Sequence, residues 1–372
     1  MRLEDHFKKI GVELYHNENL DLDHYYQEPY QDADDNDSDL YEMSTPFESD
    51  QSKSKRTLDY SRSGESNFAF FMDGSRRTYK IGDIILDKTR IFPVVVAQVC
   101  AGSTYRGEDK KIKKHLMQNK NLMLLSSRLP NADFADLKIR ICKSEQAKNL
   151  KLDIIQYRYE KGRDIVPVNA AIAKANSEMH GLEINILQQM VNSGVLDNDH
   201  MLIVDGPLQF IKEDDRSDEF ADLFYSVVGV SKTFDPMLPM SEHSKGGKQI
   251  GTRLLQLEYG ERTPVFRRVN SKSRVYGSWY LRIRPRNRVK SPLEGIIKVE
   301  KMATREDLDN GGFDTDVIDN LSRSLLEEGI PTCHGNDERW AAHLYPVYLT
   351  ETMVKSSFFG DYSFMSQFRR NF

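Results

Sequence analysis

The chain has 372 residues, of which 39% are hydrophobic and 29% charged, and its formal net charge is -5. This length suits one large domain or two modest ones, and no apolar run approaches the roughly 20 residues that span a bilayer. The acidic N-terminus has no apolar run typical of a secretory signal. Three widely separated cysteines predict neither a disulfide framework nor a zinc site, so we expect a cytoplasmic protein without membrane contact.

The charge is unevenly distributed along the chain. Residues 1–66 contain 17 acidic and 7 basic residues, which leaves 40 acidic and 45 basic residues for the remainder. A mildly basic body therefore follows an acidic leader, an asymmetry that favours a polyanionic partner. The first 15 residues carry an apolar stripe that predicts a short helix, whereas residues 16–66 are polar without a sustained period and predict a mobile or loosely docked segment.

The body, residues 67–372, begins with three predicted strands at Phe68–Asp73, Arg76–Ile85 and Ile91–Ala101. The turn residues Gly74 and Ser75 predict a hairpin between the first two strands. The later elements alternate between strands and helices. The predicted strands are Leu122–Ser126, Leu152–Tyr159 and Met201–Val204, with further strands within residues 224–234, 278–286 and 293–301. The predicted helices are residues 167–193, Asp214–Leu223 and Thr315–Glu328, followed by a helical segment over residues 345–358. This order predicts an α/β domain with a mixed sheet flanked by helices.

Two aspartates, Asp73 and Asp205, follow buried strands and precede a glycine. Each alone is compatible with an ordinary turn, because Asp-Gly is a common turn dipeptide. If the two strands are parallel neighbours, both carboxylates lie at the sheet edge where ligands bind in open α/β folds. Adjacent carboxylates repel each other and raise one pKa, and Mg²⁺ or Mn²⁺, which prefers oxygen ligands, relieves that repulsion.

Two glutamates could complete such a site. Glu183 lies in the apolar register of the long predicted helix, and Glu351 follows an aromatic stripe in the C-terminal helical segment. Either side chain is also compatible with an exposed acid on a solvated helix face. The sequence therefore offers up to four carboxylates for one metal centre.

The order of these motifs resembles a known family. A strand with Asp-Gly-Ser, a helix with Glu, a strand with Asp-Gly-x-Leu, a strand with Gly-Val-x-Lys-Thr and a Tyr-Pro-x-x-Leu segment resemble the NurA nuclease domain, a member of the ribonuclease-H-like group related to the Piwi nuclease core. The resemblance covers about residues 67–360. It implies a ribonuclease-H-like mixed sheet with insertions and a metal-dependent deoxyribonuclease that acts as an exonuclease, an endonuclease or both.

The resemblance also implies a role for each matching residue. Asp73, Glu183 and Asp205 would bind metal, and Lys232 would contact a phosphate or position the attacking water. Glu351 stands where the family tends to place a histidine or another ligand. Two Mn²⁺ or Mg²⁺ ions would activate water and stabilise the leaving oxygen of a phosphodiester.

The resemblance further implies partners. It predicts a homodimer that forms a channel for DNA and a hexameric HerA-type ATPase that drives DNA toward the nuclease. DNA end processing in repair and antiviral defence against foreign DNA both fit these partners, and the sequence does not choose between the two roles.

A basic and aromatic segment after residue 278 is a candidate DNA track. Arg282, Arg284 and Arg286 recur at a spacing of two, which places their guanidinium groups on one face of a strand. Guanidinium groups bind phosphates in planar, bidentate contacts, and Trp279 could stack on a base. A solvated sheet face is the alternative for this segment.

Arg76 and Arg77 lie next to Asp73 in the sequence. They could direct a phosphate toward the metal ions, because guanidinium groups bind phosphate oxygens. Their alternative is a charged hairpin turn.

Other functional classes fit the sequence less well. The chain lacks the GxxxxGK[ST] spacing of a P-loop and the GxSxG motif of a serine hydrolase. Guide-directed cleavage of the Piwi type would require a guide-binding pocket and further domains. The remaining alternative is a non-catalytic DNA-binding or assembly subunit whose acidic residues are turn residues.

Overall fold

The computed structural model of the chain describes most of its residues. The described residues are 2–22, 40–59, 66–86, 88–159, 166–208, 224–238, 249–269, 274–333 and 339–370. Within these ranges the chain forms nine α-helices, thirteen strands and two short 3-10 helices.

The first half of the chain builds the centre of the sheet and the longest helix. In chain order its elements are α1 (Leu3–Lys8), β1 (Glu13–Asp21), β2 (Leu40–Pro46), β3 (Arg56–Thr57), β4 (Phe68–Leu86), β5 (Arg90–Arg106), β6 (Ile112–Ser126), α2 (Asn131–Cys142), α3 (Glu145–Leu150), β7 (Leu152–Tyr157) and α4 (Pro167–Asn192). Helix α4 agrees with the helix predicted over residues 167–193. It begins with Pro167, whose fixed φ and missing N–H suit the first turn.

The second half extends the sheet and covers it. Its elements are β8 (Met201–Asp205), β9 (Val227–Ser231), α5 (Ile250–Leu254), β10 (Glu261–Arg262), β11 (Phe266–Val269), β12 (Val275–Arg282), a 3-10 helix (Arg286–Arg288), β13 (Ile296–Met302), α6 (Arg305–Asp309), α7 (Thr315–Glu328), a 3-10 helix (Trp340–Ala342), α8 (Tyr345–Ser356) and α9 (Asp361–Arg370). Helix α7 has the predicted bounds, and its apolar residues Ile318, Leu321 and Leu325 recur at helical spacing.

All thirteen described strands belong to one mixed sheet. Its main order is β2-β11-β12-β13-β9-β8-β4-β5-β6-β7. In addition, β1 pairs with β4, and the short strand β10 pairs with both β12 and β3. The pairs β4–β8, β8–β9 and β6–β7 are parallel, and the other pairs are antiparallel. The chain is therefore an α/β protein with a large mixed sheet flanked by helices, as predicted, and this architecture is compatible with a ribonuclease-H-like fold.

Helices cover both faces of the sheet. On one face, Leu182, Ile186 and Met190 of α4 pack against apolar residues of β4, β5, β6 and β8. On the other face, α7 and α8 pack on residues that include Phe71 of β4 and Ile203 of β8. Because side chains alternate between the faces of a strand, Asp73 and Asp205 lie on the same face as Phe71 and Ile203.

The predicted hairpin at Gly74 and Ser75 is wrong. Strand β4 continues through both residues, which pair with Ala101 and Cys100 of β5. Turn chemistry is only a local preference, and here the neighbouring strand supplies the hydrogen bonds that keep the chain extended. Asp73 therefore lies within a 19-residue strand rather than at its end.

The N-terminal segment contributes more structure than its composition predicts. The described parts of residues 16–66 include the end of β1, which pairs with β4, together with β2 and β3. Strands of this kind are stabilised by pairing with distant strands, so a search for local periodicity misses them. Residues 23–39 and 60–65 of the predicted mobile segment lie outside the described residues, as does the predicted helix Asp214–Leu223.

None of the helices in the described part of the chain is both long enough and apolar enough to span a bilayer.

Candidate functional site

The parallel pairing of β4 and β8 places two aspartates side by side. Met72 pairs with Val204 as the last matched residues of the two strands, and Asp73 and Asp205 follow directly. The carboxylates emerge on the same face of the sheet at the carboxyl end of β8. This placement agrees with the arrangement expected from the sequence, although β4 continues beyond it.

Helix α8 adds a third carboxylate, Glu351. One carboxylate oxygen from each of Asp73, Asp205 and Glu351 lies within 4.8 Å of the other two. We call these three residues the acidic cluster. Asp73 is only 6% exposed, and the side chains of Asp205 and Glu351 are also largely buried.

Close packing of α8 on the sheet fixes the position of Glu351. The hydroxyl of Thr350 lies 2.7 Å from that of Thr104 on β5. A Cβ at Gly102 would come within 2.9 Å of Val354 on α8, so the absence of a side chain there lets the helix approach the strand. The carboxylate of Glu351 is therefore held against the strands rather than in solvent.

Lys232, which follows β9, supplies a positive charge to the acidic cluster. Its Nζ lies 2.6 Å from Oδ2 of Asp205 and 3.3 Å from Oε2 of Glu351. Burial alone would lower the pKa of Lys232, but the two carboxylates outweigh that effect and the pKa is raised. The lysine is therefore charged at neutral pH.

The three carboxylates differ in their electrostatic surroundings. Burial, followed by the negative charge of Asp205, raises the pKa of Asp73 well above its ordinary value. Burial also acts to raise the pKa of Glu351, but Lys232, Lys355 and His343 outweigh it and lower the pKa. In the acidic cluster, Asp73 therefore favours its protonated form, whereas Asp205 and Glu351 interact with the ammonium group of Lys232.

Two residues near Glu351 were missed by the sequence analysis. Lys355 donates to Oε1 of Glu351 at 2.6 Å, and the spacing of four residues on one helix could have revealed this pair. His343 is buried, and its Nδ1 lies 3.8 Å from Oε2 of Glu351. No local signal reveals His343, because it precedes α8 and approaches Glu351 only through the fold.

The structure does not bring Glu183 into the acidic cluster, which corrects its predicted place among the ligands. A Cβ at Gly74 would come 2.4 Å from Oε1 of Glu183, so Gly74 faces α4 while its neighbour Asp73 faces α8. The Glu183 carboxylate is buried on the α4 face and accepts a hydrogen bond from His180 at 2.7 Å. The spacing on α4 correctly indicated an inward-facing acid but could not indicate which face of the sheet it meets.

The donor set of the acidic cluster fits a hard divalent cation. Carboxylate oxygens are the ligands that Mg²⁺ and Mn²⁺ prefer. Burial, together with the charge of Asp205, raises the pKa of Asp73, and a bound cation would favour its ionised form. Asp73, Asp205 and Glu351 are therefore the residues that could hold a metal, with Lys232 beside them.

The predicted DNA track on β12 is largely wrong. Arg282 and Arg284 are buried, and their guanidinium groups donate to backbone carbonyls such as those of Leu257 and Gly329. Trp279 is also buried and donates from Nε1 to Ser322 at 3.0 Å. A spacing of two residues places side chains on one face of a strand, but it does not indicate whether other elements cover that face.

The fourth residue of that track, Arg286, lies beyond the strand. Strand β12 ends at Arg282, and Pro285, which has no N–H to donate, precedes the 3-10 helix that contains Arg286. Arg286 is exposed and pairs with Glu258 at 3.2 Å. Its contact with DNA stays a prediction.

Arg76 and Arg77 lie on opposite faces of β4, because β4 has no turn there. Arg77 forms an ion pair with Asp361 at 2.6 Å and lies over the ring of Phe358. Arg76 donates to the hydroxyl of Thr78 at 2.9 Å. Both are partly buried along a strand, so the charged-hairpin alternative is wrong, while their contact with phosphate stays a prediction.

The hairpin between β5 and β6 carries an exposed, mainly basic surface, on which Lys111 and Lys113 pair with Asp109 at 3.8 and 3.1 Å. Four of its lysines are exposed, namely Lys110, Lys111, Lys113 and Lys114. Lys114 pairs across the sheet with Thr104, which contacts α8 one residue before Glu351. We call these four residues the lysine hairpin, and it lies beside the helix that completes the acidic cluster.

No protein-family model matches the chain, and no curated protein matches it either. The geometry and charge of the site are therefore the basis for inferring a function.

Proposed function

We propose that the protein is a divalent-metal-dependent nuclease that hydrolyses DNA phosphodiester bonds. The observation that carries the proposal is the convergence of Asp73, Asp205 and Glu351 within 4.8 Å at the carboxyl end of β8. This is the edge of an α/β sheet at which ligands commonly bind. The proposal agrees with the resemblance of the motifs to the NurA nuclease domain.

The acidic cluster supplies the ligands that this chemistry requires. When bound, two Mn²⁺ or Mg²⁺ ions would make a water molecule nucleophilic and stabilise the leaving oxygen. Asp73, Asp205 and Glu351 would hold the ions while leaving coordination positions for water and phosphate oxygens. Lys232 would contact a non-bridging phosphate oxygen or orient the attacking water, because its ammonium already lies at two of these carboxylates.

The lysine hairpin supports a polyanionic substrate. Its exposed ammonium groups would bind the phosphates of DNA and bring the strand toward the acidic cluster. Phosphate contacts of this kind position a nucleic acid without reading its sequence. The proposed enzyme therefore recognises its substrate by backbone charge and by access to the site, not by base sequence.

The partners and cellular role rest on the resemblance. We propose a homodimer that works with a hexameric HerA-type ATPase in DNA end processing or antiviral defence. A cytoplasmic location is proposed from the three widely separated cysteines, which predict no disulfide framework.

A non-catalytic DNA-binding or assembly subunit is the second candidate function. It is favoured by the ion pairs of Lys232 and Lys355, which partly neutralise the acidic cluster from within the chain. In that case the carboxylates and lysines would form a structural charge network, and added metal would have no effect on the protein.

One experiment separates the two functions. Thermal stability and cleavage of end-labelled single- and double-stranded DNA are measured in EDTA and in Mn²⁺ for the wild type, Asp205→Asn and Asp136→Asn. Asp136 lies on α2 in an ion pair with Arg140, away from the acidic cluster, and serves as the control. We expect Mn²⁺ to stabilise the wild type and the control and to permit cleavage, and Asp205→Asn to lose both effects. Mn²⁺-dependent cleavage by Asp205→Asn at the wild-type rate would refute the site.

A further inference from the structure

A second candidate site lies at the opposite end of β8. A cavity of about 400 Å³ is lined by residues that include Asn67, Met201, Lys301, Asn320 and Leu321. Met201 begins β8 and Asp205 ends it, so a rise of about 3.3 Å per residue separates the cavity from the acidic cluster by roughly 13 Å along the strand. The volume falls within the range of about 300–1,000 Å³ that is typical of small-molecule sites.

Lys301 on β13 is the buried charge in this cavity. It is 8% exposed, and its Nζ donates to the carbonyl oxygen of Tyr225 at 2.5 Å. Within the described ranges no carboxylate forms an ion pair with Lys301, whereas Lys298 on the same strand pairs with Glu300 at 2.5 Å. Burial lowers the pKa of Lys301 to about 8, only partly opposed by Asp307.

A buried ammonium that forms no ion pair destabilises a fold, because no carboxylate in contact with it offsets its desolvation. An apolar side chain of similar length at this position would avoid that penalty. Buried ionisable groups that face a cleft are characteristic of binding sites, and an anionic ligand would supply the charge that Lys301 lacks.

We propose that this cavity binds a small organic anion whose phosphate or carboxylate group pairs with Lys301. Nδ2 of Asn67 donates to the carbonyl oxygen of Asn198 at 3.0 Å and keeps a second N–H for the ligand, and the amide nitrogen of Asn320, whose oxygen accepts from Arg323, can also donate. Met201 and Leu321 present apolar surface for its organic part. Arg323 and the exposed carboxylates of Asp199 and Glu327 also line the cavity. The carboxylates would discourage long polyanions, while Lys301 attracts a compact anion inside.

Binding is tested with three probes and a matched pair of lysine variants. Deoxyadenosine monophosphate, citrate and inorganic phosphate are titrated calorimetrically into the wild type, Lys301→Met and Lys148→Met. Lys148 is an exposed lysine on α3, so its variant controls for loss of surface charge. We expect deoxyadenosine monophosphate or citrate to bind more tightly than inorganic phosphate, Lys301→Met to weaken that binding at least about tenfold, and Lys148→Met to change it less than about twofold.

A second variant tests the cavity without removing its charge. Val317 lines the cavity and is 46% exposed, so Val317→Trp should fill the space with little effect on folding. We expect this variant to retain the wild-type melting temperature and to lose binding of the organic probe. Failure of both organic probes to bind, binding of inorganic phosphate alone, or unchanged binding in either Lys301→Met or Val317→Trp would overturn the proposal. These measurements use no nuclease readout, so their failure would leave the proposed function standing.

Discussion

The ammonium group of Lys232 lies between Asp205 and Glu351, 2.6 Å from one carboxylate and 3.3 Å from the other. The lysine side chain is only 6% exposed, so little solvent screens these contacts. Lys232 thus supplies part of the positive charge that the acidic cluster requires. A divalent cation bound by the same oxygens would compete electrostatically with this ammonium group.

Lys232→Met should therefore make folding more dependent on metal. In EDTA we expect a loss of about 3–5 kcal/mol in the free energy of unfolding, because removing one partner leaves buried carboxylates uncompensated. Saturating Mn²⁺ should restore stability to the variant more than it stabilises the wild type. Urea unfolding in EDTA and in Mn²⁺ measures both effects.

Lys355→Met is the matched control for that prediction. Lys355 contacts the same carboxylate, Glu351, but its side chain is 52% exposed. Exposed ion pairs contribute at most about 1 kcal/mol, so the control should change stability little. Equal losses in the two variants would show that Lys232 has no special electrostatic role.

Asp73→Asn should stabilise the metal-free protein at neutral pH. Burial and the charge of Asp205 raise the pKa of Asp73 above its ordinary 3.8, so the folded protein keeps a proton that the unfolded chain releases. Stability contributed by this group is therefore present below about pH 4 and falls as the pH rises toward the folded-state pKa. Asparagine does not ionise, so the variant should gain stability over the wild type at about pH 7, and the gain should disappear toward about pH 4.

Urea unfolding in EDTA across this pH range measures the gain. The same variant should lose stabilisation by Mn²⁺, because an amide is a weaker ligand than a carboxylate for a hard cation. A variant less stable than the wild type at neutral pH would contradict the raised pKa.

The sequence predicted the long elements and the acidic pair because both have strong local signals. Helix α4 has helical periodicity and a proline at its start, and β8 is an apolar run that ends in Asp205. The side-by-side placement of Asp73 and Asp205 followed from one assumption, that β4 and β8 are parallel neighbours. The pairing of those strands satisfies it.

The errors arose where distant parts of the chain decide the structure. Gly74 and Ser75 have turn chemistry, yet β5 pairs with both and the glycine gives room to Glu183 of α4. The alternation of Arg282 and Arg284 predicts an exposed face, yet backbone carbonyls from several loops surround their guanidinium groups. Neither the pairing with β5 nor the burial of the two arginines can be recognised from the neighbouring residues in the sequence.

Glu183→Gln should distinguish the predicted ligand set from the observed cluster. Glu183 lies on the opposite face of β4 from the side chain of Asp73, so its amide variant should keep stabilisation by Mn²⁺ and, under the proposed function, cleavage within about threefold of the wild-type rate. Melting temperatures in EDTA and Mn²⁺, together with cleavage rates, measure this. If Glu183→Gln lost as much stabilisation by Mn²⁺ as Asp205→Asn, Glu183 would be a metal ligand after all.

Arg282→Ala should impair folding rather than DNA binding. The guanidinium group is fully buried and donates to the carbonyl oxygens of Leu257, Pro292 and Glu294. Leaving such buried acceptors unsatisfied costs about 1–3 kcal/mol each, so we expect a loss of at least about 3 kcal/mol in the free energy of unfolding. Urea denaturation measures the loss, and DNA affinity per folded molecule should stay unchanged. Wild-type stability with weakened DNA binding would instead support Arg282 as part of a DNA-binding face.

Lys114→Ala tests the lysine hairpin as the route of DNA to the acidic cluster. Lys114 is exposed on β6 opposite Thr104, which contacts α8 beside Glu351. Losing one phosphate contact should weaken binding to all DNA sequences alike and reduce the slope of log affinity against log salt by about 0.7–0.9. Fluorescence anisotropy in EDTA over a series of salt concentrations measures the slope without cleavage. Lys148→Ala on α3 is the control, and an equal change in slope for both variants would show that the hairpin has no preferred role in binding DNA.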